Sequence, residues 1–380
     1  MTYLKASLQT NNMAADDNFA QFVDYVNRNE DILNGTAYAY ASPSRRTLKD
    51  RLNPMEAYDE HEFLCRYRFT KSAVKKLLAV LPLQENADGR GFPLPPLMQL
   101  LIALRFYGAG TFQLVSGDLV NVSQPTVSRV VKRISALLAE TLFPVLVKFP
   151  EASQVSGVME EFYKIGKFPG VSGCIDCTHV PIRSPGGDDA EVYRNRKGYF
   201  SINVQGITGP DLQFYDVVAS WPGSAHDSRI FDSSRARVMY ETGAITGILL
   251  GDMGYACRSY LMTPLKDPQR GSPEYRYNKS QSRTRNSVER VFGIWKRRFP
   301  CLQMTLQIDT STSLTVITAC AALHNLARML RDPCPPDLQP QTAPSVQQPT
   351  SALPNGQLQM GTQDTDGFRT RERIIRNYFS

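Results

Sequence analysis

A chain of 380 residues with 42% hydrophobic content can fill either one large domain with appendages or two ordinary domains. Its 43 basic residues against 36 acidic ones leave a net charge of +7, a mild excess that suits a nucleic-acid partner without requiring one. No apolar run is long enough to span a bilayer, and Met1–Asp17 lacks the basic-then-apolar order of a signal peptide, so a soluble intracellular protein with no membrane partner is expected.

From about Asp16 to Pro150 the apolar residues recur at helical spacing. Phe19, Phe22, Val23 and Val26 mark one helix, and Ala73–Leu81 and Leu97–Phe106 mark others. Residues 1–15 read as a flexible N-terminus and 16–150 as a helical domain. Within it, residues 111–139 carry a helix-turn-helix pattern: Ser123 is placed to cap the second helix, Pro125 suits its first turn, and Val127, Val130 and Val131 face inward. That arrangement exposes Gln124, Thr126, Ser128, Arg129, Lys132 and Arg133. Gln124 or Arg129 would then read bases, and Lys132 and Arg133 would meet phosphates, where an ordinary helical hairpin would leave all of them solvated.

Beyond Gly170 strands and helices alternate. Val171–Ile182, Phe200–Thr208 and Leu212–Ser220 read as strands, Asp227–Ala236 as a short helix, Gly247–Leu250 as a fourth strand, and Arg285–Phe299 and Ser313–Leu330 as helices. A three-strand meander followed by helix, strand and helix is the order a ribonuclease-H-like fold requires, and other α/β folds share it. The expected fold class is therefore α/β over residues 165–331, preceded by the helical domain, with a ribonuclease-H-like fold among those the order allows. Cys174 and Cys177 stand three apart in the first strand, where their side chains point to opposite faces and cannot share a zinc ion. With seven scattered cysteines in all, free thiols in a reducing compartment are expected. Residues 332–367 are rich in Pro, Gln, Thr, Ser and Asp, which predicts a disordered tail. Residues 368–380 regain Ile374, Ile375, Tyr378 and Phe379, enough for a short docking helix.

Four carboxylates stand out. Asp176 lies on the first strand within GCIDCTH (Gly173–His179). Asp227 follows the third strand, Asp252 ends the fourth between Gly251 and Gly254, and Glu289 flanks the buried stripe Val288, Phe292, Trp295 and Phe299 of a helix. Hard divalent cations such as Mg²⁺ or Mn²⁺ take oxygen ligands from a few carboxylates and from substrate phosphate, and two such ions can activate a nucleophile and stabilise the leaving oxygen of an in-line displacement. Taken singly, Asp227 reads as a helix cap and Glu289 as part of a surface ion-pair network with its basic neighbours. Arg194, Arg196 and Lys197 form a basic loop, and Arg283, Arg285, Arg290, Lys296, Arg297 and Arg298 surround Glu289; both groups are expected to track phosphates. His179 and His226 are expected to make structural hydrogen bonds.

These segments together carry a resemblance. GCIDCTHV (Gly173–Val180), YRNRKG (Tyr193–Gly198), WPGS (Trp221–Ser224) with Asp227, LLGD (Leu249–Asp252), LMTPL (Leu261–Leu265) and EYRYN (Glu274–Asn278) resemble the Harbinger transposase-derived nucleases, of the PIF/Harbinger superfamily of DDE transposases. The likeness runs from roughly Tyr67 to Leu330. It implies a ribonuclease-H-like catalytic domain, the DDE endonuclease domain, at residues 165–331 and a divalent-metal-dependent DNA endonuclease of transposase origin, with Asp176, Asp252 and Glu289 as catalytic acids, Asp227 as a further metal ligand, and strand transfer as an additional outcome of the same chemistry. Asp227 and Asp252 both remain open as the second acid. The resemblance also implies DNA and a Myb-like DNA-binding protein as partners, is compatible with homo-oligomers, and places the chain in the nucleus and cytoplasm. The alternative is a catalytically silent DNA-binding nuclear protein that keeps the fold and acts with the Myb-like partner.

Overall fold

Short polar side chains open the first helices. In the computed structural model, which describes residues 53–83, 94–111, 122–335 and 365–380, Asn53, Asp59 and Thr70 each accept from a backbone N–H just inside the helix that follows: α1 (Pro54–Ala57), α2 (Glu60–Tyr67) and α3 (Lys71–Val80). Next come α4 (Pro96–Ala109), which ends at Gly110 in the left-handed region, α5 (Gln124–Thr141) and α6 (Phe143–Leu146). The helix expected around Phe19–Val26 and the first helix of the helix-turn-helix pattern lie outside the described residues. The second is α5: Pro125 stands in its first turn, Val127, Val130 and Val131 are buried, and Gln124, Arg129, Lys132 and Arg133 are exposed.

The described residues fall into two compact units. One takes the chain up to Lys148 together with Arg298–Pro335. There the Thr310–Met329 helix packs along α5, which packs on α4. Arg298 is buried at 3% exposure; its guanidinium donates to the Arg68 carbonyl at 2.6 Å and to Asp332 at 2.9 Å, and Asp332 also accepts from the Thr70 hydroxyl at 2.6 Å. Asp332, the expected first residue of the tail, is thus a buried ion-pair partner, and order continues to Pro335; residues 336–364 lie outside the described ones. The basic character of Arg298 serves that pair and not a phosphate track.

The other unit takes Phe149–Arg297 and the C-terminal helix. Its elements are α7 (Val155–Gly166), β1 (Val171–Pro181), β2 (Ser201–Thr208), β3 (Phe214–Pro222), α8 (Asp227–Asp232), α9 (Arg235–Glu241), β4 (Ile248–Leu250), β5 (Leu261–Met262) and α10 (Pro273–Arg298), the last residue of which groups with the helical unit. The strands form one sheet in the order β3-β2-β1-β4-β5; β1, β2 and β3 are antiparallel neighbours, and β4 runs parallel to β1 and β5. The single helix expected at Asp227–Ala236 is two, because the Ser234 hydroxyl caps a second start by accepting from the Arg237 amide. α10 begins at Pro273 instead of Arg285. Its first half buries Tyr277, Ser280, Gln281 and Thr284, a mostly polar set that shows no hydrophobic period.

Strand alternation separates two buried layers. On one face Ile175, Ile207 and Leu249 pack with Phe231, Ala236 and Tyr240 of α8 and α9. On the other, Phe214 meets Trp295 and Phe292 of α10 with ring centroids 5.3 and 6.1 Å apart. Gly206, directly across the ladder from Asp176, admits that helix: a Cβ there would lie 3.0 Å from both the Phe214 and Phe292 rings. The C-terminal helix Thr365–Tyr378 docks on this unit, with Phe379 against Phe168 and Tyr277 and its carbonyl accepting from Arg276 at 2.8 Å. No described helix is long and apolar enough to cross a membrane.

Gly206→Val is expected to cost about 1–3 kcal/mol by overpacking the sheet against α10, read as a lower denaturant midpoint; an unchanged midpoint would show that α10 does not depend on close approach at Gly206.

Candidate active site

β4 is too short to cover β1. Their pairing ends at Cys174 with Leu250, so β1 continues past it with no strand on that side among the described residues. Asp176 lies on this uncovered stretch, and its Oδ1 accepts from the Cys177 amide at 2.8 Å. At the end of β4 the chain turns at Gly251, whose amide donates to the Met262 carbonyl and whose carbonyl accepts from the Gln281 side chain at 2.7 Å. A Cβ at Gly251 would lie 2.9 Å from the Tyr255 ring. Asp252 follows, pinned by the Gly254 amide at 2.9 Å. The crevice at the carboxyl end of such strands is where open α/β sheets bind ligands.

Asp227 opens α8, but the cap of that helix is His226, which accepts from the Ser228 amide. Freed of that duty, Asp227 accepts instead from Asn203 of β2 at 2.9 Å. Glu289 sits one turn beyond Arg285 on α10 and is 51% exposed. Arg285 joins the two ends of the acid set, donating to Asp176 at 2.8 Å and to Glu289 at 2.5 Å. Glu289 and Asp176 therefore lie on the same side of the sheet.

Burial drives the Asp176 carboxyl from 3.8 up to about 6, against the opposing pull of the Arg285 guanidinium, and the charges of Asp252 and Asp227 push the same way as burial. Burial lowers the Arg285 pKa, but Asp176, Glu289 and Asp252 more than offset it. Cys177, on the opposite face from Asp176, places its thiol 3.3 Å from the Tyr255 hydroxyl, and all seven cysteines are free thiols. His179 pairs with the Ser201 hydroxyl at 3.0 Å.

The basic residues divide. Lys296 is largely withdrawn from solvent, and its Nζ donates to the Thr178 hydroxyl and the His179 carbonyl, each at 2.7 Å, with its pKa pulled down to about 8 by burial and by Lys197. It ties α10 to β1 instead of tracking phosphates. Arg283, Arg290 and Arg297 are exposed, as are Arg196 and Lys197. Arg194 is engaged by Glu191 at 2.7 Å and lies over the Phe200 ring.

Among the described residues no three His, Cys, Asp or Glu side chains are gathered closely enough to form a ready metal cage. The donor chemistry nonetheless fits a hard divalent cation. Every candidate ligand is a carboxylate, Asp176 feels the charge of both Asp252 and Asp227, and a guanidinium lies between Asp176 and Glu289. Arg285 is the residue whose role the sequence hid. Its spacing of four from Glu289 is visible, but the contact with Asp176 is not. Gln281 and Asn203, which hold Asp252 and Asp227 in place, leave no signal in the sequence.

Residues 175–325 match the DDE superfamily endonucleases. The human protein named "Putative nuclease HARBI1" is 32% identical over 341 residues, covering 88% of this chain and 95% of its own. The chain belongs to the Harbinger transposase-derived nuclease family. A Xenopus laevis protein of the same name is 29% identical over 341 residues, covering 88% of this chain and 94% of its own. The Arabidopsis thaliana "Protein ALP1-like" is 26% identical over 262 residues, covering 65% of this chain and 64% of its own. No solved structure matches the chain. In this family member the endonuclease match begins one residue before Asp176 and takes in Asp227, Asp252 and Glu289.

A carboxyl whose folded pKa is raised binds its proton more tightly in the native state, so the ionisation of Asp176 erodes stability as pH rises from about 4 to about 6. In metal-free protein, the difference in unfolding free energy between Asp176→Asn and the parent should therefore move in the variant's favour across that window and level off above it. Chemical denaturation at a series of pH values reads this, and a pH-independent difference would contradict the desolvation of Asp176.

Proposed function

We propose that this protein is a divalent-metal-dependent DNA endonuclease of transposase origin, with Asp176, Asp252 and Glu289 as catalytic acids and Asp227 as a further metal ligand. The observation that carries the reading is the Arg285 bridge, which puts Asp176 and Glu289 on one cation while Asp252 lies near enough to be felt. The strand order β3-β2-β1-β4-β5, with an antiparallel meander joined to parallel neighbours, supports a ribonuclease-H-like arrangement for the sheet. Asp252 is our choice for the second acid because it ends the strand beside β1, whereas Asp227 is held from β2 by Asn203.

Asp176, Asp227, Asp252 and Glu289 would hold Mg²⁺ or Mn²⁺, which would supply polarisation of the scissile phosphate and activation of the attacking water, with two ions in the two-metal form of the chemistry. The protein's own part is placement. Asp176 and Asp252 present oxygens from the sheet edge, Gln281 fixes the turn that carries Asp252, and Lys296 holds α10, and with it Glu289, against β1. Strand transfer would need only a DNA hydroxyl in place of the water.

For substrate contact, the exposed Gln124 and Arg129 of α5 are the candidates for bases, and Lys132 and Arg133 for phosphates, in keeping with a helix-turn-helix. Arg196 and Lys197 suit a phosphate track, with Arg194 a weaker member because Glu191 already neutralises it. A Myb-like DNA-binding protein as partner, homo-oligomers, and residence in the nucleus and cytoplasm belong to the same proposal. The Arg285 bridge also favours a second reading, since an arginine that permanently neutralises Asp176 and Glu289 would leave a DNA-binding protein without catalysis.

Purified protein incubated with supercoiled plasmid and Mg²⁺ or Mn²⁺ should nick it, and Asp176→Ala and Asp252→Ala should fall to the no-protein background while DNA binding persists. Equal background in all three proteins, with binding intact, would overturn the nuclease reading in favour of the second.

A further inference from the structure

Arg285 occupies an unusual position for a basic residue beside candidate metal ligands. Its two Nη atoms are spent on two different acids, Asp176 at 2.8 Å and Glu289 at 2.5 Å, and only 18% of its side chain is exposed. Asp176 is equally withdrawn, whereas Glu289 is half in solvent. The guanidinium thus sits between the sheet edge and the helix, where a cation shared by those two carboxylates would have to be. A planar fork with several donors suits this bridging; an ammonium is a point charge and cannot make the same pair of directed bonds.

We propose that Arg285 is a built-in counter-cation that holds Asp176 and Glu289 in convergent positions before metal arrives and is displaced from them when it does. The proposal rests on the nuclease reading above and adds to it a role for a residue outside the acid set. Two consequences follow from charge alone. Without metal, the bridge suppresses repulsion among Asp176, Asp252 and Glu289, so the site stays assembled. With metal, the same positive charge competes with the ion, so the arginine lowers the affinity of the site and sets how much free cation is needed to load it. Arg285 has somewhere to go: Glu289 already reaches solvent, and the neighbouring Asn286 and Arg290 on α10 are exposed. It acts through the acids and does not itself touch the reacting atoms, which makes it a positioning residue.

Mn²⁺ binding, followed by electron paramagnetic resonance of the free ion or by calorimetry, tests this without any reliance on cleavage. Arg285→Gln is expected to bind Mn²⁺ at least tenfold more tightly than the parent. Its thermal midpoint in EDTA should fall below that of the parent, with the gap closing at saturating Mn²⁺. Arg285→Lys keeps the charge but loses one of the two bonds, and its affinity should lie between; it also serves if the glutamine variant does not fold. If the parent binds Mn²⁺ and the variants bind it equally or more weakly, the counter-cation role is overturned and the nuclease reading stands. If neither parent nor variants bind Mn²⁺, both are overturned together.

Discussion

A carboxylate withdrawn from water has to be met by positive charge, and the arrangement around Asp176 follows from that requirement. Here Asp176 feels both Asp252 and Asp227 as like charges while Glu289 shares its guanidinium. Stability alone does not call for a buried carboxylate that feels two others. The desolvated Asp176, the bridging Arg285 and the short β4 that leaves the edge of β1 open form one construction, the sort of local expense that marks a functional site.

The rest of the unit serves to keep that expense in place. α10 must lie close enough to β1 for Glu289 to meet the same cation as Asp176, and close approach needs a residue without a side chain opposite Asp176. Gly206 meets the need, and Phe292 and Trp295 fill the layer above it. Lys296, two turns beyond Glu289, gives up solvent to bond β1 directly. Gln281, two turns before it, reaches the turn that bears Asp252. One helix therefore supplies an acid, a counter-charge and two struts.

Much of this was legible in the sequence, and the pattern of what was not has physical causes. The strands read correctly because β1 to β4 are rich in β-branched and apolar residues bounded by turn formers, and the acids were visible as carboxylates on a strand, at a strand end, at a helix start and beside a helix's buried stripe. β5 is only Leu261–Met262 and carries no period, and the start of α10 is hidden because it buries Tyr277, Ser280, Gln281 and Thr284 in place of an apolar stripe. Long-range contacts were the larger loss. The Glu289 neighbourhood, rich in Arg and Lys, reads as a solvated basic patch, yet Arg285 faces Asp176, Lys296 faces β1 and Arg298 faces Asp332, three different uses that one-dimensional charge spacing cannot separate. Composition places Asp332 in a tail for a similar reason, since it reports an average while the partners of Asp332, Arg298 and Thr70, are far away in sequence.

Family membership fixes the lineage; the proposed chemistry stands on Asp176, Asp252 and Glu289 sharing a divalent cation. Anomalous diffraction from crystals grown with Mn²⁺ addresses it most directly. A peak is expected in ligand contact with Asp176, Asp252 and Glu289, with the Arg285 guanidinium moved off Asp176. Mn²⁺ found only at other surface carboxylates, with the Arg285 bridge to Asp176 and Glu289 intact, would contradict it.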